Sequence, residues 1–161
     1  KLAKPNSKVL FSRYALKTML ENKRTLSFRI GNARGNDIIA ADIRMSALID
    51  HTTPEGQHTR KLLTLEPTRK GTPFFKLSWT VNHILDETSP LFDLDLYEGR
   101  LLGIIIIVSG HDSTYSNTIY SRHNYLPSDI VKNRYFEDII HEMADGRLMI
   151  DYDKFHTLKP V

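Results

Sequence analysis

Residues 101–125, LLGIIIIVSGHDSTYSNTIYSRHNY, contain two runs of strand-forming residues separated by a polar segment. The first run, residues 101–108, is rich in isoleucine and valine, which favour β-strands. Its apolar residues do not alternate with polar ones, so we predict a central strand that is buried on both faces. Residues 118–125 predict the next strand, and the polar segment between the two runs predicts a loop.

Three other segments place apolar side chains at every second position, which is the period of a half-buried β-strand. These segments are residues 25–30 (TLSFRI), 42–48 (DIRMSAL) and 75–81 (FKLSWTV). Trp79 falls on the apolar side of the last segment, where a sandwich core would hold it.

Short turn signals rich in glycine, proline and asparagine separate these runs. Near the C-terminus, Asp145-Gly146 lies between residues 139–143 and 148–152, a pattern typical of a tight β-hairpin. Residues 135–143 (YFEDIIHEM) also fit a helical stripe, but the Asp-Gly that follows favours a strand. Seven or more short strands predict an all-β fold, an antiparallel β-sandwich.

The composition excludes several classes of protein. The chain has 161 residues, of which 40% are hydrophobic and 25% charged, as in a single globular domain with a real core. It contains no cysteine, which excludes disulfides, thiolate metal sites and cysteine nucleophiles. Its longest apolar run is five residues, whereas a membrane helix needs about 20. Since the chain starts at Lys1 and shows no signal peptide, we expect a piece of a longer protein.

Charge is distributed unevenly along the chain. Residues 1–24 carry seven basic residues and one acid, whereas the net charge of the whole chain is +3. A basic start before a mildly acidic body predicts that the N-terminal segment lies against an anionic surface. The alternative is a basic tail that is simply solvated. No aromatic residues interleave with basic ones on one strand, so no nucleic acid is expected as a partner.

Ser109, His111 and Asp112 supply the residue types of a nucleophile, a base and an acid close together. A catalytic triad must converge in space, whereas neighbouring residues on a strand point in different directions. There is no G-x-S-x-G elbow and no phosphate-binding glycine loop, and the seven histidines lack metal-ligand spacing. We therefore expect no metal, no cofactor and no enzyme, and a hydrolase built on these three residues is kept as a rival reading.

Seven segments in order resemble the cytoplasmic domain of inward-rectifier potassium channels of the prokaryotic type. They are KP (4–5) with VLFS (9–12), FRIGNAR (28–34), ADIR (41–44), LSWT (77–80) with HI (83–84), DETSPL (86–91), residues 109–125 from SGH onward, and IDYDKFH (150–156). The resemblance implies an immunoglobulin-like antiparallel β-sandwich that assembles as a four-fold ring at the cytoplasmic face of the cell membrane. Residues 1–12 would be a basic junction after a transmembrane pore helix that this sequence lacks, and residues 13–161 the cytoplasmic β-sandwich domain.

The same resemblance assigns candidate site residues. A loop lining the narrow cytoplasmic end of the pore would comprise Gly110, His111, Asp112, Ser113, Thr114, Tyr115 and Ser116. Asp112 would be its charged member, and Glu55 would be a vestibule acid, with an exposed turn carboxylate as the alternative for Glu55. Lys4, Lys8 and Arg44 would contact anionic membrane lipid. Arg122 would form a salt bridge with Asp112 or with an acid of a neighbouring subunit.

The sequence departs from strongly rectifying relatives at two places. Ser109 stands where they carry a carboxylate before the loop glycine, and Arg69-Lys70-Gly71 stands where they place acids. Strong rectification is therefore not expected.

The resemblance thus predicts a non-enzymatic regulatory and pore-extension domain that couples ligand or lipid contacts to gating. Its partners would be itself, as a homotetramer, together with potassium ions in the vestibule and anionic membrane lipid. The alternative is a free-standing β-sandwich module that binds a peptide or protein partner. The oligomeric state separates the two, because the first needs a four-fold ring with a polar opening and the second allows a monomer.

Overall fold

A computed structural model describes residues 9–33, 37–75, 77–114 and 116–161. In chain order the strands are β1 Val9–Phe11, β2 Ala15–Leu20, β3 Lys23–Asn32, β4 Ile38–Thr52, β5 His58–Leu65, β6 Gly71–Phe75, β7 Ser78–Ile84, β8 Leu101–Asp112, β9 Thr118–Tyr125, β10 Ile130–Lys132, β11 Arg134–Phe136, β12 Ile140–Glu142, β13 Leu148–Ile150 and β14 Leu158–Pro160. Two short 3-10 helices, Pro127–Asp129 and Tyr152–Lys154, complete the described elements. The all-β prediction is confirmed, and the described ranges contain no helix long and apolar enough to cross a membrane.

Two five-stranded sheets form the sandwich. In sheet one, β3 is central, with β1 and β2 along one side, β7 along the other, and β10 next to β2. In sheet two, β4 pairs with β5 and β6 on one side and with β8 on the other, and β9 follows β8. The β2–β10 pairing is parallel and the other pairings in these sheets are antiparallel. Two further antiparallel pairs, β11–β14 and β12–β13, lie in the C-terminal part of the chain.

One hydrophobic core fills the space between the sheets. Its buried members include Phe28 and Ile30 from sheet one and Ile43, Ile104 and Ile106 from sheet two. A smaller cluster of Ile139, Ile150 and Phe155, packed with Leu10, Leu77 and Ile140, joins the C-terminal segments to the other face of sheet one.

The strand predicted at residues 25–30 lies within β3, but it is not half-buried. Thr25, Ser27 and Arg29, on its polar side, are each at most 4% exposed. The C-terminal segment covers this side near Arg29. The Phe155 ring lies so close to Gly31 that a Cβ on Gly31 would be 2.8 Å from the ring. Alternation identified the strand, and long-range packing buried its polar face.

Residues 75–81 do not form the single strand that we predict from alternation. Phe75 ends β6 in sheet two and Ser78 begins β7 in sheet one, so the chain crosses between the sheets at this point. Phe75 and Trp79 still reach the core, where their ring centroids lie 6.4 Å apart.

Residues 101–108 lie in β8, between β4 and β9, so the central position of this strand is confirmed. The prediction that this strand is buried on both faces is wrong, because Ile107 is 37% exposed on the outer face. The Asp145-Gly146 hairpin is confirmed and the helical alternative is wrong, since β12 and β13 pair around a turn in which Gly146 has a φ of 84°.

Candidate functional site

The segment predicted to line the pore is partly strand and partly loop. Its first three residues, Gly110, His111 and Asp112, end β8, so residues 113–117 alone connect β8 to β9. Tyr115 lies outside the described residues. The exposed members of the segment are His111, Ser113, Thr114 and Ser116.

Asp112 organises this connection. Its side chain is 1% exposed, and its Oδ1 accepts a hydrogen bond from the Thr114 N–H at 2.7 Å. Its N–H donates to the Asn117 carbonyl at 2.8 Å, and its carbonyl accepts from the Ser116 N–H at 3.0 Å. Within one chain, the expected charged member of the loop is therefore covered, and its carboxylate caps the turn.

Gly110 allows β8 to approach β4 closely beside this turn. A Cβ at Gly110 would lie 3.2 Å from the carbonyl oxygen of Ile39 and would collide with the side chain of Ile38. Only glycine fits such a contact without displacing backbone. The loop is therefore anchored at its base.

Glu55 lies at the exposed tip of the turn between β4 and β5. Hydrogen bonds within the turn join the Gly56 N–H to the Thr53 carbonyl at 2.9 Å and the Gln57 N–H to Thr53 Oγ1 at 3.0 Å. The β8–β9 loop lies beside the other end of β4, where Ile38 pairs with Asp112. At about 3.3 Å per residue, the two ends of β4, and with them the two candidate positions, are roughly 45 Å apart along the strand.

Arg44 and Arg122 share one row of the outer face of sheet two. Arg44 is opposite Ile107, which in turn is opposite Arg122. Two strand spacings put the two arginines about 10 Å apart. Both are exposed, and Arg44 Nε lies 3.6 Å from Asp42 Oδ2.

The structure does not bring Arg122 and Asp112 together within one chain. Arg122 pairs with Ile107, five residues before Asp112 in β8, which corresponds to about 17 Å along the strand. Moreover, Arg122 is on the exposed face and Asp112 on the buried face. The intrachain salt bridge is therefore not the arrangement found here, whereas a pairing with a neighbour's acid stays a prediction.

The three residues of the rival hydrolase reading also diverge. Ser109 and His111 lie on the outer face of β8, and Asp112 lies on the inner face. His111 Nδ1 lies 3.5 Å from Thr118 Oγ1. A base and its orienting acid on opposite faces of a strand cannot act as a triad.

A buried polar network that no sequence pattern indicated surrounds Ser12, which is 0% exposed. The Tyr125 hydroxyl donates to the Ser12 carbonyl at 2.7 Å, and the Arg29 N–H donates to Ser12 Oγ at 3.0 Å. Burial raises the pKa of the Tyr125 hydroxyl. Ser12 thereby joins β3 of sheet one to β9 of sheet two.

Because β1 also pairs with β3, the last residues of the expected 1–12 junction belong to the sandwich. The predicted lipid contacts Lys4 and Lys8 lie outside the described residues.

Arg29 is a second buried group that the sequence did not distinguish. Its guanidinium donates to the carbonyls of Glu137 at 2.5 Å and Phe155 at 2.6 Å, and it lies 4.8 Å from the ring centroid of Phe136. Burial lowers the pKa of Arg29 to about 10, and the nearby Asp138 and Glu137 carboxylates oppose that shift. The side chain holds the C-terminal segment against sheet one.

His83 supports the 86–91 segment. Its Nδ1 lies 2.8 Å from the Glu66 carbonyl and its Nε2 lies 2.7 Å from Ser89 Oγ. A carbonyl can only accept, so Nδ1–H donates to it and Nε2 of the neutral ring accepts from Ser89. Burial lowers the pKa of His83, which keeps the ring neutral.

These features define a class: a β-sandwich whose N-terminal strand pairs with sheet one, whose Ser12 is bonded to both sheets, and in which Ser109, His111 and Asp112 do not converge as a triad. The chain belongs to the family of inward rectifier potassium channel C-terminal domains, whose sequence profile matches residues 9–161. The resemblance found from the sequence is thus confirmed, and this is a family of channels.

Several relatives are channels of bacteria and mammals. The chain is 30% identical over 160 residues to the inward rectifier potassium channel Kirbac3.1 of Paramagnetospirillum magnetotacticum, covering 98% of this chain and 54% of the relative. It is 32% identical over 159 residues to the ATP-sensitive inward rectifier potassium channel 11 of Mus musculus, covering 94% and 40%. It is 31% identical over 169 residues to channel 10 of Homo sapiens, covering 100% and 45%. The chain therefore spans about half the length of these relatives or less.

Proposed function

We propose that this chain is the cytoplasmic domain of an inward-rectifier potassium channel and that four copies form a ring around the intracellular ion pathway. The family match over residues 9–161 carries the proposal. A four-fold axis repeats every side chain four times, so one polar residue per chain makes a ring that passing ions meet.

The β8–β9 loop is suited to form the narrow end of that pathway. It is short, its turn is capped by Asp112, and its base is anchored at Gly110. Among the described residues from His111 to Asn117, the exposed side chains are hydroxyls, an amide and a histidine, so the ring would be polar and would present no exposed carboxylate. Glu55, at the far end of sheet two, would supply a ring of carboxylates that concentrates cations. Ser109 is uncharged where strongly rectifying relatives carry a carboxylate, which agrees with the expectation that rectification is not strong.

Gating would use rigid-body motion of the sandwich. The N-terminal strand is bonded to β3, and Ser12 is bonded to β9, so a displacement of the strand would move both sheets together. Anionic lipid at Lys4, Lys8 and the exposed Arg44 would favour one of two arrangements of the ring. Arg122, exposed and without an ion pair in the described part of the chain, would pair with an acid of the neighbouring copy.

Spin labels test the ring directly, because the chain has no native cysteine. A single Ser113→Cys variant, labelled with a nitroxide, is measured by double electron–electron resonance at concentrations where light scattering shows assembly. We expect two distances, one between neighbouring copies and a longer one along the diagonal of a square. The control is Lys159→Cys on exposed β14, which would lie farther from the axis in the proposed ring and should give longer distances.

Two results would contradict the ring. One is a chain that stays monomeric at every accessible concentration. The other is an assembly in which the label at Ser113 is immobilised within a contact between subunits and gives a single distance, because such a loop cannot face a central opening.

A further inference from the structure

Three cationic side chains, none of them among the predicted lipid contacts, converge on one concavity of sheet one. The concavity has a volume of about 220 Å³ and is lined by Lys17, Arg24 and Lys132, together with Thr18, Met19 and Asn133. We call these three cations and their concavity the cationic pocket.

Strand register explains the convergence. Lys132 of β10 pairs directly with Lys17 of β2, so their side chains lie on the same face. Met19 is two residues beyond Lys17 on that face, and Arg24 of β3 is opposite Met19. Three neighbouring strands thus each contribute one cation.

The electrostatics of the pocket are those of an unneutralised cluster. Burial lowers the pKa of Lys17, and the adjacent Arg24 and Lys132 lower it further, against the opposing charge of Asp95. Asp95 is itself engaged, because its Oδ1 accepts from the Tyr97 N–H at 2.8 Å. Within the described ranges, none of the three cations forms an ion pair with a carboxylate.

Aromatic rings hold two of the cations in place. Lys132 Nζ lies 4.3 Å from the ring centroid of Tyr97, and Arg24 Cζ lies 5.8 Å from that of Phe92. Such contacts orient a cation and leave its remaining N–H groups available to an anion. The pocket therefore presents preoriented donors around an excess of positive charge.

We propose that the cationic pocket binds a phosphate group of a phosphorylated ligand. A phosphate offers tetrahedral acceptor oxygens and two negative charges, which match three converging cations and the neighbouring Asn133 amide. The phosphate group comes either from a soluble compound or from a lipid headgroup, and both share this chemistry. The pocket uses residues other than Lys4, Lys8 and Arg44, and it does not depend on the ring.

Two probes and two charge-matched variants test the proposal. Pyrophosphate binding is measured by isothermal titration calorimetry, and cosedimentation is measured with phosphatidylcholine vesicles containing phosphatidic acid. The pocket variant is Arg24→Gln with Lys132→Gln, and the control is Arg60→Gln with Lys61→Gln on exposed β5 of sheet two. We expect the pocket variant to bind at least about tenfold more weakly, because each charge-assisted hydrogen bond is worth roughly a factor of ten, and the control to bind as the unchanged chain does.

The outcomes separate the sources of phosphate. If the pocket variant, but not the control, loses pyrophosphate binding, the result supports the site with a soluble ligand. If the pocket variant, but not the control, loses vesicle binding and keeps pyrophosphate binding, the result supports the site with a lipid headgroup. Equal losses in both variants, or no binding of either probe, would overturn it. Thermal unfolding verifies that each variant is folded, and Lys132→Gln alone replaces the pocket variant if the double change unfolds it.

Discussion

At the scale of single residues, Arg29 decides how the C-terminal segment attaches. Its position on the polar side of an alternating strand predicts an exposed side chain, yet it is 4% exposed. The backbone carbonyls of Glu137, Lys154 and Phe155 accept its hydrogen bonds. Those carbonyls come from residues more than a hundred positions away, so local pattern could not reveal them.

Replacing Arg29 by leucine should lower the free energy of unfolding by about 3 kcal/mol or more, since several buried carbonyls lose their donor. Urea denaturation measures this change. Arg100→Leu, at an exposed position, is the control and should change stability by less than about 0.5 kcal/mol. Equal small effects of both substitutions would show that the Arg29 network contributes little to stability.

At the scale of elements, alternation and turn residues located β3, β4, β8, β9 and the β12–β13 hairpin, but they did not mark strands such as β2, β5 and β10. Residues 118–125 coincide with β9, and Asp145-Gly146 marks the β12–β13 turn. The crossing between sheets after Phe75 could not be predicted, because Phe75 and Trp79 face the same core from opposite sheets. An uninterrupted alternation is compatible with one strand or with two strands that share a core.

The β8–β9 loop provides a prediction at the same scale. Asp112→Ala should lower the free energy of unfolding by about 1–3 kcal/mol, because the Thr114 N–H loses its buried acceptor. Ser113→Ala, at the exposed neighbouring position, should change it by less than about 0.5 kcal/mol. Hydrogen exchange at the Thr114 and Ser116 amides should accelerate in the first variant and not in the second. Unchanged exchange in Asp112→Ala would mean that its carboxylate does not hold the turn.

At the scale of the whole molecule, the basic N-terminal residues predict attachment to anionic membranes. Lys4→Ala with Lys8→Ala should weaken binding to phosphatidylglycerol-containing vesicles by about 2 kcal/mol at low salt, at about 1 kcal/mol per lysine. Cosedimentation measures the binding, and the difference should shrink as salt screens the charges. The matched control is Lys154→Ala with Lys159→Ala near the C-terminus. Unchanged binding in the first variant would remove the proposed lipid contact.

The sequence by itself determined the all-β class, the position of the central strand and the membership of the channel family, because side-chain periodicity and ordered motifs are local properties. Tertiary structure alone decided that Asp112 is buried, that Arg122 lies on the opposite face from it, and that Lys17, Arg24 and Lys132 share one pocket. Each of these facts depends on the register between strands, which is set by the packing of distant segments and the turns that join them.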